Sequence, residues 1–142
     1  ISSRAGFREL ADIIVDHKTN LYEEIHKIIS QYKCVLVDEA QFLSVDNILD
    51  LRKITKFIPV ICYGLKTDYK CELFTGSKSL LEVADSIEEI KTICVNCNYK
   101  AIINAKYSID DNGKKNIIKS SSKLLDIGGD ELYQPMCWNC WN

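Results

Sequence analysis

The sequence has no long hydrophobic run: nothing in it approaches the roughly 18 apolar residues of a membrane span. No signal-peptide pattern opens it, and it holds no internal repeat and no low-complexity segment. It also lacks an excess of charge. The 18 Lys and Arg against 20 Asp and Glu leave a net charge of -2, which argues against the broad basic surface of a nucleic-acid binder. These absences lead to the expectation of a cytoplasmic protein with no membrane and no nucleic-acid partner. A phosphate loop is missing too. No G-x-x-x-x-G-K-[ST] occurs in the 142 residues, and Gly76-Ser77-Lys78 lacks the first glycine at the right spacing.

What is there suffices for one sizeable core and a small appended module, with 46% apolar and 27% charged residues. The chain begins with Ile1 rather than Met and enters directly into the loop-like "ISSRAG", so a piece of a longer protein is expected. Seven cysteines, an odd count without a secretory signal, argue against a disulfide framework. Cys34 and Cys62 lie inside apolar runs and read as small buried hydrophobes; Cys71 receives no role.

"NLYEEIHKIISQY" places Leu21, Ile25, Ile28 and Ile29 at helical spacing, with Asn20 as cap. "KCVLVDE" reads as a buried strand. "SVDNILDLRKITKF" begins at a capping Ser44 and turns Val45, Ile48, Leu49 and Ile54 inward. "IPVICYG" is a second buried strand ended by Gly64, and "GSKSLLEVAD" a short helix with Leu80, Leu81 and Val83 in its core. "SIEEIKTIC" reads as a third strand. Strands alternating with helices predict right-handed crossovers and a parallel sheet with covered faces. After Cys97 two period-2 runs flank "DDNGKK", a hairpin signal of type I′ at Asn112-Gly113. The boundary is placed near Thr92: an α/β domain over 1–92, and a small β module over 93–142.

"CVNC" and "CWNC" supply Cys94, Cys97, Cys137 and Cys140. Two CxxC turns can complete a tetrahedral S4 shell at about 2.3 Å per bond, and the hairpin between them can bring them together. Two unrelated CxxC turns or redox-active pairs are the alternatives, but a redox pair opens a helix after a strand, which neither pair does convincingly. Four cysteines leave no open position, so the expected Zn2+ is structural.

The apolar run Cys34–Val37 stops at Asp38-Glu39. In open α/β sheets ligands bind beyond the carboxyl ends of the strands. There one acid can hold Mg2+ and its neighbour can accept a proton from an attacking hydroxyl. On this segment alone a turn-capping Asp38 and a solvated Glu39 remain the alternative.

Taken in order, "VLVDEAQFL", "IPVICYGLKTDYKCELFTGSKSLLEVAD", "EIKTICVNC" and "IGGDELYQPMC" closely resemble the zinc-containing type II thymidine kinases, from Ser3 to Cys140. The resemblance implies a P-loop kinase-like α/β fold with a parallel sheet, carrying a small zinc-ribbon-like domain and usually assembled as a homotetramer. It implies transfer of the γ-phosphoryl group of ATP to the 5′-hydroxyl of deoxythymidine, in nucleotide salvage. Glu39 then matches the catalytic base and Asp38 the acid that helps hold Mg2+. Phe42 and Tyr69 match aromatic residues at the nucleoside. Residues 119–137 match a loop that closes over the nucleoside, with Gly128-Gly129 as its turn and Tyr133 as its aromatic residue. Arg4 matches an arginine near the active site.

The resemblance also marks what is missing. The family's glycine-rich phosphate loop belongs upstream of Ile1, so the 142 residues alone are expected to be an inactive part of the kinase. Two tryptophans flank the second knuckle, where the family often carries Arg or His. One rival reading is a non-catalytic, zinc-stabilised nucleoside-binding module. Another is a zinc-ribbon interaction module, for which the six lysines of "KAIINAKYSIDDNGKKNIIKSSSK" would supply a basic face.

Overall fold

The computed structural model describes residues 10–16, 18–120 and 132–142. Arg4, Gly128 and Gly129 lie outside them. The chain divides into two compact units. One comprises the residues up to Lys66 together with Phe74–Asp85; the other comprises Thr67–Leu73 and Ser86–Asn142.

The first unit is a small α/β assembly. Helix α1 spans Leu21–Ile28, and Asn20 caps it by accepting from the Glu23 amide at 3.2 Å. Strand β1, Val35–Val37, pairs in parallel with β2, Val60–Cys62, in the register Val35 to Val60 and Val37 to Cys62. Between them runs α2, Val45–Ile54, opened by a capping box in which Ser44 and Asn47 satisfy each other's backbone amides. Helix α3 covers Thr75–Val83.

The core of this unit is Leu21, Ile25, Ile48, Leu51 and Ile54, against which Val35, Val37, Val60, Cys62, Leu80 and Val83 pack. Two inward assignments on α2 are corrected. Val45 and Leu49 are 46% and 44% exposed, and Leu51 takes the inward place one turn after Asn47 and Ile48. Leu81 of α3 likewise faces out, while Gly76, Ser77 and Ser79 are buried. Both strands only half-bury alternate residues: Leu36 and Ile61, partners in the register, are 63% and 45% exposed. Cys34 is exposed rather than buried.

The second unit is built from short antiparallel pairs. Strand β3, Thr92–Ile93, pairs with β4, Lys100–Ala101. Strand β5, Ile103–Ile109, lies between β6, Lys115–Ile117, and β7, Leu132–Met136. A short helix α4, Trp138–Trp141, follows. Pro135 is accommodated because β7 is an edge strand of its sheet.

"SIEEIKTIC" therefore does not form a third parallel strand; only Thr92–Ile93 is extended, and it pairs antiparallel. Ile87, Ile90 and Ile93 recur every three residues, a spacing that cannot keep them on one face of a strand, and all three are exposed.

The hairpin between β5 and β6 forms where expected, with a different turn. Gly113 has φ +77°, whereas Asn112 is not in the left-handed region. The Gly113 amide donates to the Asp110 carbonyl at 2.8 Å, and the Asp110 amide to the Lys114 carbonyl at 3.0 Å. This is a type I turn followed by a left-handed glycine. The Asp110 carboxylate selects it by accepting from the Asn112 and Lys114 amides.

Candidate active-site turn and metal centre

Asp38 and Glu39 stand immediately after β1, at its carboxyl end. Both are exposed, and Asp38 Oδ1 accepts from the Glu39 amide at 3.0 Å. Glu39 adopts φ 51° and ψ 36°, a left-handed conformation that costs a non-glycine residue energy. The neighbours over-determine that conformation. The chain runs on into a single 3-10 turn, Ala40–Phe42, whose Ala40 and Gln41 are buried. Ala40 donates its amide to the Tyr63 carbonyl at 2.9 Å, tying the turn to the end of β2.

Two glycines press against this turn from different elements. A Cβ on Gly64 would lie 2.6 Å from Gln41 Oε1 and 3.1 Å from the Gln41 amide nitrogen. A Cβ on Gly76, in the first turn of α3, would lie 2.6 Å from the Ala40 carbonyl oxygen and 2.7 Å from that of Gln41. Ser77 Oγ donates to the Leu65 carbonyl at 2.6 Å. Gly76-Ser77-Lys78 thus packs α3 against the acidic turn. Phe42 is 67% exposed, its ring edge-on to Phe74 at 5.6 Å.

In the second unit the sulfurs of Cys94, Cys97, Cys137 and Cys140 all lie within 4.8 Å of one another. Cys97 Sγ and Cys137 Sγ are 3.4 Å apart. A tetrahedral S4 shell with bonds of about 2.3 Å has sulfur–sulfur edges of roughly 3.8 Å, so the cluster has the size a zinc ion needs. Its protonation is uneven. The Cys137 backbone amide, followed by those of Asn96 and Cys97, holds the Cys94 thiol down to about 6 against the opposing effect of burial. The neighbouring sulfurs of Cys97 and Cys137 push Cys140 up to about 12. A divalent cation held by the four sulfurs would displace their protons and stabilise the thiolates.

The second knuckle does open a short helix after a strand, since β7 ends at Met136 and α4 begins at Trp138. Convergence of both pairs on one point nevertheless matches a metal shell, because a redox pair needs only its own two sulfurs. Trp141 is buried with Cys94, Met136 and Cys137, and Trp138 is half exposed.

Tyr69 and Tyr133 belong to this same unit. Lys106 Nζ stands 5.6 Å from the Tyr69 ring centroid, and in the β5–β7 register Lys106 is the partner of Tyr133.

The family model for thymidine kinase matches residues 1–141. The chain belongs to the thymidine kinase family. Membership makes it an enzyme, a phosphotransferase of the thymidine kinase class. A thymidine kinase of Shouchella clausii is 43% identical over 142 residues, covering 99% of this chain and 71% of the relative. One of Listeria monocytogenes is 44% identical over 143 residues with the same coverage. One of Haemophilus influenzae is 43% identical over 141 residues, 96% of this chain and 69% of the relative.

Two neighbours of the candidate site residues carry no signal in the sequence. Gln41 looked like a spacer inside "DEAQF", yet it is 2% exposed and bonded at both ends of its amide. Lys106 looked like one of several solvated lysines, and only strand register reveals its neighbours. Among the described residues no helix is long and apolar enough to cross a membrane.

Proposed function

We propose that this protein transfers the γ-phosphoryl group of ATP to the 5′-hydroxyl of deoxythymidine, producing dTMP for nucleotide salvage. The observation that carries the reading is the Asp38-Glu39 turn at the carboxyl end of a parallel strand, in a chain of the thymidine kinase family. Glu39 acts as general base: its carboxylate takes the proton of the 5′-hydroxyl while that oxygen bonds to the γ-phosphorus and ADP leaves with the electron pair. Asp38, an exposed carboxylate oriented by the Glu39 amide, is the residue that would hold Mg2+. That ion, when bound, neutralises phosphate charge.

In this reading Phe42, Tyr69, Gly128 and Tyr133 are nucleoside-binding residues, and the three rings offer flat surfaces to a neutral base. Cys94, Cys97, Cys137 and Cys140 hold a structural Zn2+ that anchors residues 93–142, while residues 1–92 form the nucleotide-binding domain of P-loop kinase type. A cytoplasmic homotetramer completes the reading. The ATP phosphates need a backbone cradle that the 142 residues do not contain, so this stretch alone is proposed to lack kinase activity.

The test is direct. The complete polypeptide encoded by the gene is incubated with thymidine and γ-labelled ATP, and label is expected in dTMP. Thymidine binding without any labelled product would instead favour a non-catalytic nucleoside-binding module.

A further inference from the structure

Gln41 is, among the described residues, the buried polar side chain hydrogen-bonded to the proposed base. Its amide spans two elements: Nε2 donates to Glu39 Oε2 at 2.5 Å, and Oε1 accepts from the Leu65 amide at 3.0 Å, just past β2. The orientation is unambiguous, because the Leu65 N–H requires an oxygen and the Glu39 carboxylate requires a donor. Gly64 makes the approach possible. Its φ is ordinary, so its lack of a side chain, rather than conformational freedom, is what the position uses. From the other side Gly76 faces the carbonyls of Ala40 and Gln41, where a Cβ would lie only 2.6 and 2.7 Å from their oxygens.

We propose that Gln41 is a positioning residue for the kinase reaction. It fixes the Glu39 carboxylate through Oε2 and leaves Glu39 Oε1 as the oxygen that takes the hydroxyl proton. Gly64 is required so that Gln41 can do this. The proposal rests on the reading of Glu39 as general base. It adds a buried amide, anchored on the Leu65 backbone, as the reason an exposed glutamate keeps one orientation. A loose carboxylate would lose the near-attack geometry on which proton transfer depends.

The experiment is steady-state kinetics on the complete polypeptide, comparing Gln41→Met, Gln41→Glu, Glu39→Gln and Glu39→Asp. Gln41→Met keeps length and removes both hydrogen bonds; Gln41→Glu keeps an oxygen for Leu65 and puts an acceptor against Glu39. In each Gln41 variant kcat is expected to fall about tenfold or more, with KM for thymidine and ATP within about twofold. In the Glu39→Asp background, whose shorter carboxylate does not reach the amide, adding Gln41→Met is expected to cost less than about twofold further.

Wild-type kcat in a folded Gln41 variant overturns the proposal, and so does a full tenfold loss that persists in the Glu39→Asp background. If Gln41→Met fails to fold, Gln41→Glu decides by the same criteria. Wild-type kcat in Glu39→Gln overturns the base assignment itself, whereas a dead Glu39→Gln beside a fully active Gln41→Met overturns only the positioning role.

Discussion

Cys97 Sγ and Cys137 Sγ lie 3.4 Å apart although 40 positions separate them in the chain. No local turn holds them there. The β5–β7 pairing returns the chain to the first knuckle, with Ile103 opposite Met136, the residue just before Cys137.

Metal removal should therefore cost the second unit its fold. Among the described residues its buried core is small, six residues of which Cys94 and Cys137 are two. Cys97→Ser is expected to lower zinc content from a single ion per chain to a small fraction of that, and to lose the near-ultraviolet signal of Trp141. Elemental analysis and circular dichroism check this. Full zinc occupancy in the variant would contradict it.

Gly76→Ala should destabilise the first unit. The added methyl meets three carbonyl oxygens, those of Ala40, Gln41 and Leu43, at 2.6 to 2.8 Å, and backbone cannot rotate away as a side chain can. A loss of about 2 kcal/mol in urea unfolding is expected.

The α2 stripe makes a paired prediction. Ile54 is fully buried and Leu49 is 44% exposed. Ile54→Ala should cost about 3 kcal/mol and Leu49→Ala less than about 1 kcal/mol, read from denaturant midpoints.

The hairpin turn should be acid-sensitive. The amides of Lys114 and Asn112 and the side chain of Asn116 stabilise the ionised Asp110, holding its carboxyl below the usual range. A depressed folded value means that the contribution is present above the unfolded value, about 3.9, and is lost as pH falls through the lower folded one. Amide shifts of Asn112 and Lys114, followed by NMR during acid titration, should move with a midpoint below about 3.9. A midpoint at or above that value would contradict the assignment.

Capping and register explain what the sequence made legible. Asn20 and Ser44 start their helices where their side chains can accept amide hydrogens, a local rule that needs no tertiary information. The parallel pairing of β1 with β2 followed from their separation by a helix. The clustering of the four cysteines followed from their spacing. The outcome was less legible where tertiary contact decides. Leu51 displaced Leu49 because the apolar stripe is set by where α1 packs, and both residues fit a helical pattern. "SIEEIKTIC" carried apolar content but not the alternation of a strand. The "DNG" turn depended on whether Asp110 could reach two amides, which a two-residue signal does not encode.

The candidate site divides the same way. Asp38 and Glu39 announced themselves as acids ending an apolar run. Gln41 did not, because what sets it apart is burial and a partner 24 positions away. Gly64 read as the end of a strand, while its bare Cα is what admits the Gln41 amide.

The role of Glu39 is decided by kcat for Glu39→Gln in the complete polypeptide, with thymidine binding measured alongside. The substitution keeps the side-chain shape and removes only the proton acceptor. With Glu39 as general base, kcat falls about 10²- to 10⁴-fold while thymidine affinity is nearly unchanged. A variant that phosphorylates thymidine at the wild-type rate would contradict it.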